Sequence, residues 1–239
     1  MRLVDHIYIE EPAMYRYFIQ PQLDKFNNSL IGYEMLIRYR ETVTAPWTLP
    51  ASFDKIPITA QIDLLQATAR ELALKVGSVS INFNRKQFLN PDIASAVIAA
   101  QKQLFPIKVI VEVTEEPGES AYALDALITQ IHHFRANGLE LSLDDVGTGI
   151  NVYDHIAPLL PLAAEIKFAM QNFRVADRAS EIPTQLRFWN EVATANGQRL
   201  ILEGVETAAE DQLADSLDIP LRQGYYYGKP HLFKLRADQ

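Results

Sequence analysis

Asn137-Gly138-Leu139-Glu140-Leu141-Ser142-Leu143-Asp144-Asp145-Val146-Gly147-Thr148-Gly149 is the stretch on which the fold turns. Asn-Gly stops a helix predicted over 119–136. A strand over 139–145 then carries two adjacent carboxylates into a turn with two glycines. Successive strand residues face opposite ways, so the pair is expected to offer one set of oxygens inward and one toward the rim, which suits divalent cations. The pattern recurs with Asn82 inside 79–84, Glu112 inside 109–115, Lys167 ending 165–167 and Glu203 inside 200–206. Isolated buried charges are costly unless paired or metal-bound, so five such runs point to one shared centre. Hard oxygen donors favour Mg²⁺ or Mn²⁺ over Zn²⁺.

Outward from this stretch, strand-like and helix-like segments alternate. Residues 17–23 and 30–40 read as a hairpin around Asn27-Asn28, and 60–76 spaces its apolar residues as an amphipathic helix does. Helix 91–103 opens at Asn90-Pro91, a cap followed by a residue that needs no amide partner. Strand 108–114, a helix near 151–158, strand 163–168, helix 180–196, strand 199–205, helix 207–216 and a last strand near 221–227 complete the order. Thr207 and Glu210 have capping-box spacing. Repeated β-α units imply parallel strands with right-handed crossovers. An open doubly wound sheet fits this order too. A closed barrel accounts better for polar groups at many strand ends, because all those ends meet at one face. The chain shows no repeat and no linker, so 1–239 reads as a single α/β domain, with 44–57 as a long loop or lobe beside the active face.

Composition narrows the function classes. A chain of 239 residues with 48% hydrophobic content suits a full (β/α)₈ core. A formal net charge of -8 argues against a duplex nucleic-acid partner. Cysteine is absent, which removes disulfides and thiolate zinc sites and is compatible with a cytoplasmic location. Met1 to Met14 is broken by acids and has no signal-peptide core, and no apolar run reaches a membrane span. The five histidines are scattered or adjacent, without i, i+4 geometry.

Read in order, Gln20-Pro21, Glu34-Met35-Leu36, Asn82, Glu112-Val113-Thr114-Glu115, Asp144-Asp145-Val146-Gly147-Thr148-Gly149, Lys167, Glu203-Gly204-Val205-Glu206-Thr207 and Gln223-Gly224-Tyr225 resemble the EAL-domain family of cyclic di-GMP phosphodiesterases. The similarity runs from about Gln20 to Pro230. The resemblance implies a (β/α)₈ TIM-like barrel with its first strand antiparallel, and hydrolysis of cyclic di-GMP to linear pGpG at a site with two Mg²⁺ or Mn²⁺ ions. It implies that Glu34, Asn82, Glu112 and Asp144 hold one ion, with Asp144 shared with a second held by Asp145 and Glu203. Lys167 would contact the attacking water, Arg38 clamp a phosphate, Gln20 and Gln223 bind near the substrate, and Glu115 anchor the loop after Asp145. A homodimer and a separate regulatory protein partner are further family-based expectations, since no sensor or cyclase domain fits in this length.

Residue by residue, other readings stay open. Glu34 and Arg38 also suit a surface ion pair, Lys167 a buried partner for one acid, Glu206 a helix or loop support, and Asn84 a cap. Tyr225-Tyr226-Tyr227 suits guanine stacking, although alternation in a last strand would send a ring inward. Met35 replaces the family's Ala and should point away from Glu34. Two departures bear on activity. Ala169 stands where the family's Lys-x-Asp has its acid, which is expected to weaken metal binding. The 145–152 loop lacks the family's Phe and Tyr-Ser-Ser, which bears on dimer geometry. The alternative to an enzyme is a weak or inactive EAL domain acting as a cyclic di-GMP receptor or protein-interaction module.

Overall fold

The structure is a computed structural model that describes residues 15–114 and 124–236. Met1 to Met14, Glu115 and the 119–123 start of the predicted helix lie outside the described residues.

The predicted hairpin comprises β1 (Tyr15–Asp24) and β2 (Ser29–Tyr39), antiparallel with Gln20 opposite Glu34. Its turn is set locally: the Asp24 carboxylate accepts the amides of Phe26 and Asn27 at 3.1 and 3.0 Å. Asn28 takes the left-handed φ of 47° that Asn tolerates. The chain continues through α1 (Ile58–Leu72), β3 (Ser78–Asn84), the single turn α2 (Arg85–Phe88), α3 (Pro91–Leu104) and β4 (Lys108–Thr114). Next come α4 (Leu124–Ala136), β5 (Glu140–Leu143), α5 (Tyr153–Ile156), β6 (Glu165–Ala169), α6 (Met170–Val175) and α7 (Ile182–Asn196). Finally β7 (Arg199–Glu203), α8 (Ala208–Ser216), β8 (Leu221–Arg222) and β9 (His231–Leu232) complete it. Strands β2 to β8 pair in parallel sequence order, and β1 closes the ring antiparallel to both β8 and β2. This is the closed barrel, with the expected antiparallel first strand. The short β9 adds to β1 at Phe18 and Ile19.

The caps behave as their chemistry dictates. Asn90 accepts the amides of Asp92 and Ile93 at 2.9 and 3.2 Å, with Pro91 opening α3. Thr207 and Glu210 form a reciprocal capping box on α8. Asn84 caps α2, as its cap reading holds. Met35 is buried in the core. The two-residue β8 is stapled by the fully buried Arg222, which reaches Asp211 and Asp215 at 2.5 Å each. Residues 40–57 form the expected long loop. Its Leu49 and Phe53 line a cavity of about 290 Å³ that also contains Glu34, Arg38 and Asn82.

Two boundaries differ from the sequence reading in ways that move side chains. Strand β5 ends at Leu143, so Asp144 and Asp145 belong to the turn beyond it. The expected strand over 221–227 stops at Arg222, because Tyr227 and Gly228 turn back to donate to the Gly224 carbonyl. Gly224 lies where a Cβ would meet the Val205 carbonyl oxygen at 2.1 Å, so only glycine fits that approach. Strand alternation therefore does not orient the tyrosines. Tyr225 and Tyr226 are exposed, while Tyr227 packs on the core with its hydroxyl on Asp211.

Candidate active site

Inward-facing positions near the carboxyl ends of the parallel strands bring the polar residues together. Glu34 comes from β2, Asn82 and Glu112 stand opposite each other on β3 and β4, and Lys167 and Glu203 come from β6 and β7. Lys167, fully buried, sits at their centre, with Nζ 2.5 Å from Glu203 Oε1, 3.0 Å from Glu112 Oε2 and 3.5 Å from Glu34 Oε2. The buried-partner reading of Lys167 thus extends to three acids rather than one. Asn82 Nδ2 donates to Glu34 Oε1 at 2.8 Å. Gln223 donates to the other Glu34 oxygen and, at 3.1 Å, to Gln20 Oε1. Gln20 in turn donates to the Gly228 carbonyl at 3.0 Å.

Asp144 and Asp145 complete the arrangement from the turn after β5. Asp145 takes a left-handed φ of 53°, so its direction is set by that backbone and not by strand alternation. One carboxylate oxygen from each of Asp144, Asp145 and Glu203 lies within 4.8 Å of the others, so the pair faces one cluster instead of splitting between interior and rim. The divergent loop closes on itself. Asn151 Nδ2 donates to the Asp144 carbonyl at 2.7 Å, Gly147 N to Asn151 O at 2.9 Å, and Val146 N to Lys167 O at 3.1 Å.

Electrostatics follow from five acids around one ammonium. Burial pushes Glu112 and Asp144 well above the usual carboxylate range; Lys167 opposes this, and the neighbouring acids add to it. Burial likewise raises Asp145, against hydrogen bonding from Asn172. It raises Glu203 to about 7 despite Lys167. Burial acts on Glu34 in the same sense, but Lys167 with the amides of Asn82 and Gln223 overcomes it and leaves Glu34 below its ordinary value. Burial lowers Lys167, and Glu112, Glu203, Glu34 and Asp144 more than reverse this. Lys167 is therefore a permanent cation and hydrogen-bond donor, unsuited to act as a base.

Such a site fits added divalent charge. Acids held above their ordinary pKa by burial and mutual repulsion give up protons to a cation. The buried acceptors Glu112 Oε1 and Gln223 Oε1 have no donor in hydrogen-bonding geometry. All-oxygen donors suit Mg²⁺ or Mn²⁺.

Above the acids, a cavity of about 410 Å³ is bounded by Glu34, Arg38, Asp145, Glu203, Gln223 and Tyr225, among others. Arg38 shares Glu34's side of the cavity, but its guanidinium donates to the Ile37 carbonyl and lies 5.9 Å from the Phe18 ring. The ion partner of the buried Glu34 is Lys167, so the surface-pair reading of Glu34 with Arg38 does not hold. Glu206 pairs with Arg174 at 2.9 Å, a loop support as expected. Ala169 is buried at the end of β6, opposite Glu203. Sequence reasoning passed over Asn172, whose amide reaches Thr148 Oγ1 at 3.4 Å and lowers the Asp145 carboxyl. An Asn in an ordinary helix-like run carries no signal of this.

The model of the EAL domain matches residues 11–230. The chain belongs to the EAL domain family. This EAL domain is 22% identical over 232 residues to the probable cyclic di-GMP phosphodiesterase PdeG of Escherichia coli K12, covering 89% of this chain and 44% of the relative. It is 25% identical over 227 residues to the bifunctional diguanylate cyclase/cyclic di-GMP phosphodiesterase MucR of Pseudomonas aeruginosa, covering 88% and 32%. The chain thus spans less than half the length of these relatives. The solved PaMucR phosphodiesterase in complex with c-di-GMP superposes with a TM-score of 0.75 at 21% identity, covering 97% of this chain and 98% of that one, which establishes the shared barrel fold.

Proposed function

We propose that this EAL domain is a phosphodiesterase that opens one phosphodiester of cyclic di-GMP to give linear pGpG, with two Mg²⁺ or Mn²⁺ ions. One observation carries the reading: carboxylates from three barrel strands and the turn after a fourth meet at one face, with Asp144, Asp145 and Glu203 within reach of a single cation. Glu34, Asn82, Glu112 and Asp144 would hold one ion, and Asp144, Asp145 and Glu203 the other. When bound, such ions activate water near neutral pH and neutralise charge on the phosphate.

The chain's own groups do the remaining work. Arg38 offers a half-buried guanidinium to a phosphate oxygen, Gln20 and Gln223 hold Glu34 and border the substrate cavity, and the exposed Tyr225 ring is available to a guanine face. Lys167 keeps its proton and orients water by donating Nζ–H. Asn82 would offer its Oδ1 to a cation, since its Nδ2 is engaged by Glu34.

The same reading places the protein in the cytoplasm. Among the described residues no helix is long and apolar enough to cross a membrane. It also includes a homodimer and a separate regulatory partner. Val152, Tyr153 and Phe188 lie exposed beside the acid-bearing loop, where a second copy would pack; a monomer at every concentration in sedimentation would remove the dimer.

Incubation with cyclic di-GMP and Mn²⁺, followed by chromatography of the products, tests the activity. Linear pGpG is expected from the wild type, with Glu203→Gln and Glu34→Ala reduced at least ~100-fold. Tight binding of cyclic di-GMP with no linear product at saturating Mn²⁺ would replace this reading with that of a receptor, the alternative favoured by Ala169 in place of an acid.

A further inference from the structure

The missing acid at the end of β6 is followed at once by α6, and the polar residues of this short helix reach both loops that carry the outer acids. Met170 and Phe173 are fully buried and fix the helix against the barrel. On one side, the Asn172 amide reaches Thr148 Oγ1 at 3.4 Å, which itself donates to the Asp145 carbonyl at 2.8 Å. On the other side, Arg174 Nη2 donates to the Gly204 carbonyl at 3.0 Å and to Glu206 Oε1 at 2.9 Å, while Nη1 reaches Glu210 Oε1 at 2.6 Å. Gly204 directly follows Glu203. It has a left-handed φ of 70°, and the Gln171 side chain fills the place where its Cβ would sit.

We infer that Asn172 and Arg174 are positioning residues that hold Asp145 and the Glu203 loop at the spacing a divalent cation requires, and so take over the support lost at Ala169. The inference rests on the reading of Asp144, Asp145 and Glu203 as a cation site. Three carboxylates packed together repel one another, and two of them stand on or beside left-handed backbone, at Asp145 and Gly204. Such conformations persist only where neighbouring contacts over-determine them. Asn172 holds the Asp145 backbone through Thr148 Oγ1, on the side from which its amide also lowers the Asp145 carboxyl. Arg174 acts from behind, on the peptide after Glu203 and on the acid that caps α8. Partners of this kind set the orientation of metal-binding side chains, and their loss costs 10- to 100-fold in affinity on the usual scale.

The test is Mn²⁺ affinity by calorimetry or by electron paramagnetic resonance, without substrate, with melting temperature in EDTA as the measure of folding. Asn172→Ala is expected to weaken Mn²⁺ about 10-fold while leaving the metal-free melting temperature nearly unchanged, and Arg174→Met is expected to weaken it to a similar degree. In an Asp145→Asn background the Asn172→Ala effect should vanish, because Asn172 acts on the cation only by placing Asp145. An unchanged Mn²⁺ affinity, a loss that persists in the Asp145→Asn background, or no Mn²⁺ binding by the wild type would overturn the inference. The expected pattern of Mn²⁺ affinities with no pGpG formed would support the inference and overturn the phosphodiesterase reading, so the two fail separately.

Discussion

Lys167 and Glu203 show how a single buried pair reports on the whole site. They are 2.5 Å apart, yet burial, with Glu34 and Asp145 adding to it, keeps Glu203 at about 7 instead of its ordinary 4.5. A carboxyl raised in the folded state binds its proton more tightly there than in the unfolded chain. Its favourable contribution is therefore full below about 4.5 and is lost as pH rises through about 7. In EDTA, the melting temperature of the wild type relative to Glu203→Gln should fall as pH rises across this window, and Mn²⁺ should recover the loss at the upper end. A difference that stays flat with pH would mean Glu203 is not held in this environment. The sequence marked Asn82, Glu112, Lys167 and Glu203 because each interrupts an apolar strand, a pattern that has few causes other than a shared polar centre; Glu34 came from the resemblance of Glu34-Met35-Leu36 to the family's motif. It was silent on Asn172 and Arg174, whose contacts arise from tertiary placement alone.

At the level of elements, the hairpin, α3 and α8 were legible because each carries a local signal: the Asn27-Asn28 turn, the Asn90-Pro91 cap, and the Thr207/Glu210 box. Where ends are set by long-range contact, the reading missed. The strand at Leu221 stops because Gly224 lies against Val205, and the turn at Asp144-Asp145 leaves the strand through a left-handed residue that alternation does not describe. The α8 cap matters beyond its own helix, since Glu210 accepts the amides of Glu206 and Thr207 at 2.7 and 3.0 Å and also takes Arg174. Thr207→Ala should cost about 1 kcal/mol, read as a lower melting temperature. Its Mn²⁺ affinity should change little, because Arg174 keeps its bonds to Gly204 and Glu210. A large loss of Mn²⁺ binding with little change in melting would show that the cap, not Arg174, sets the loop.

Across the whole molecule, the fold concentrates negative charge. The chain carries a net -8, and the closed barrel gathers five of its acids at one face around one lysine. The closed ring was inferred from the spread of polar strand ends, and the β1 pairings with β2 and β8 confirm it. The central claim is that this face exists to hold divalent cations. Anomalous scattering from crystals of the protein soaked in Mn²⁺ tests it most directly. Peaks beside Asp144, Asp145 and Glu203, strengthened by cyclic di-GMP, are the expected result; a site without peaks at millimolar Mn²⁺, or peaks only elsewhere on the surface, would contradict it.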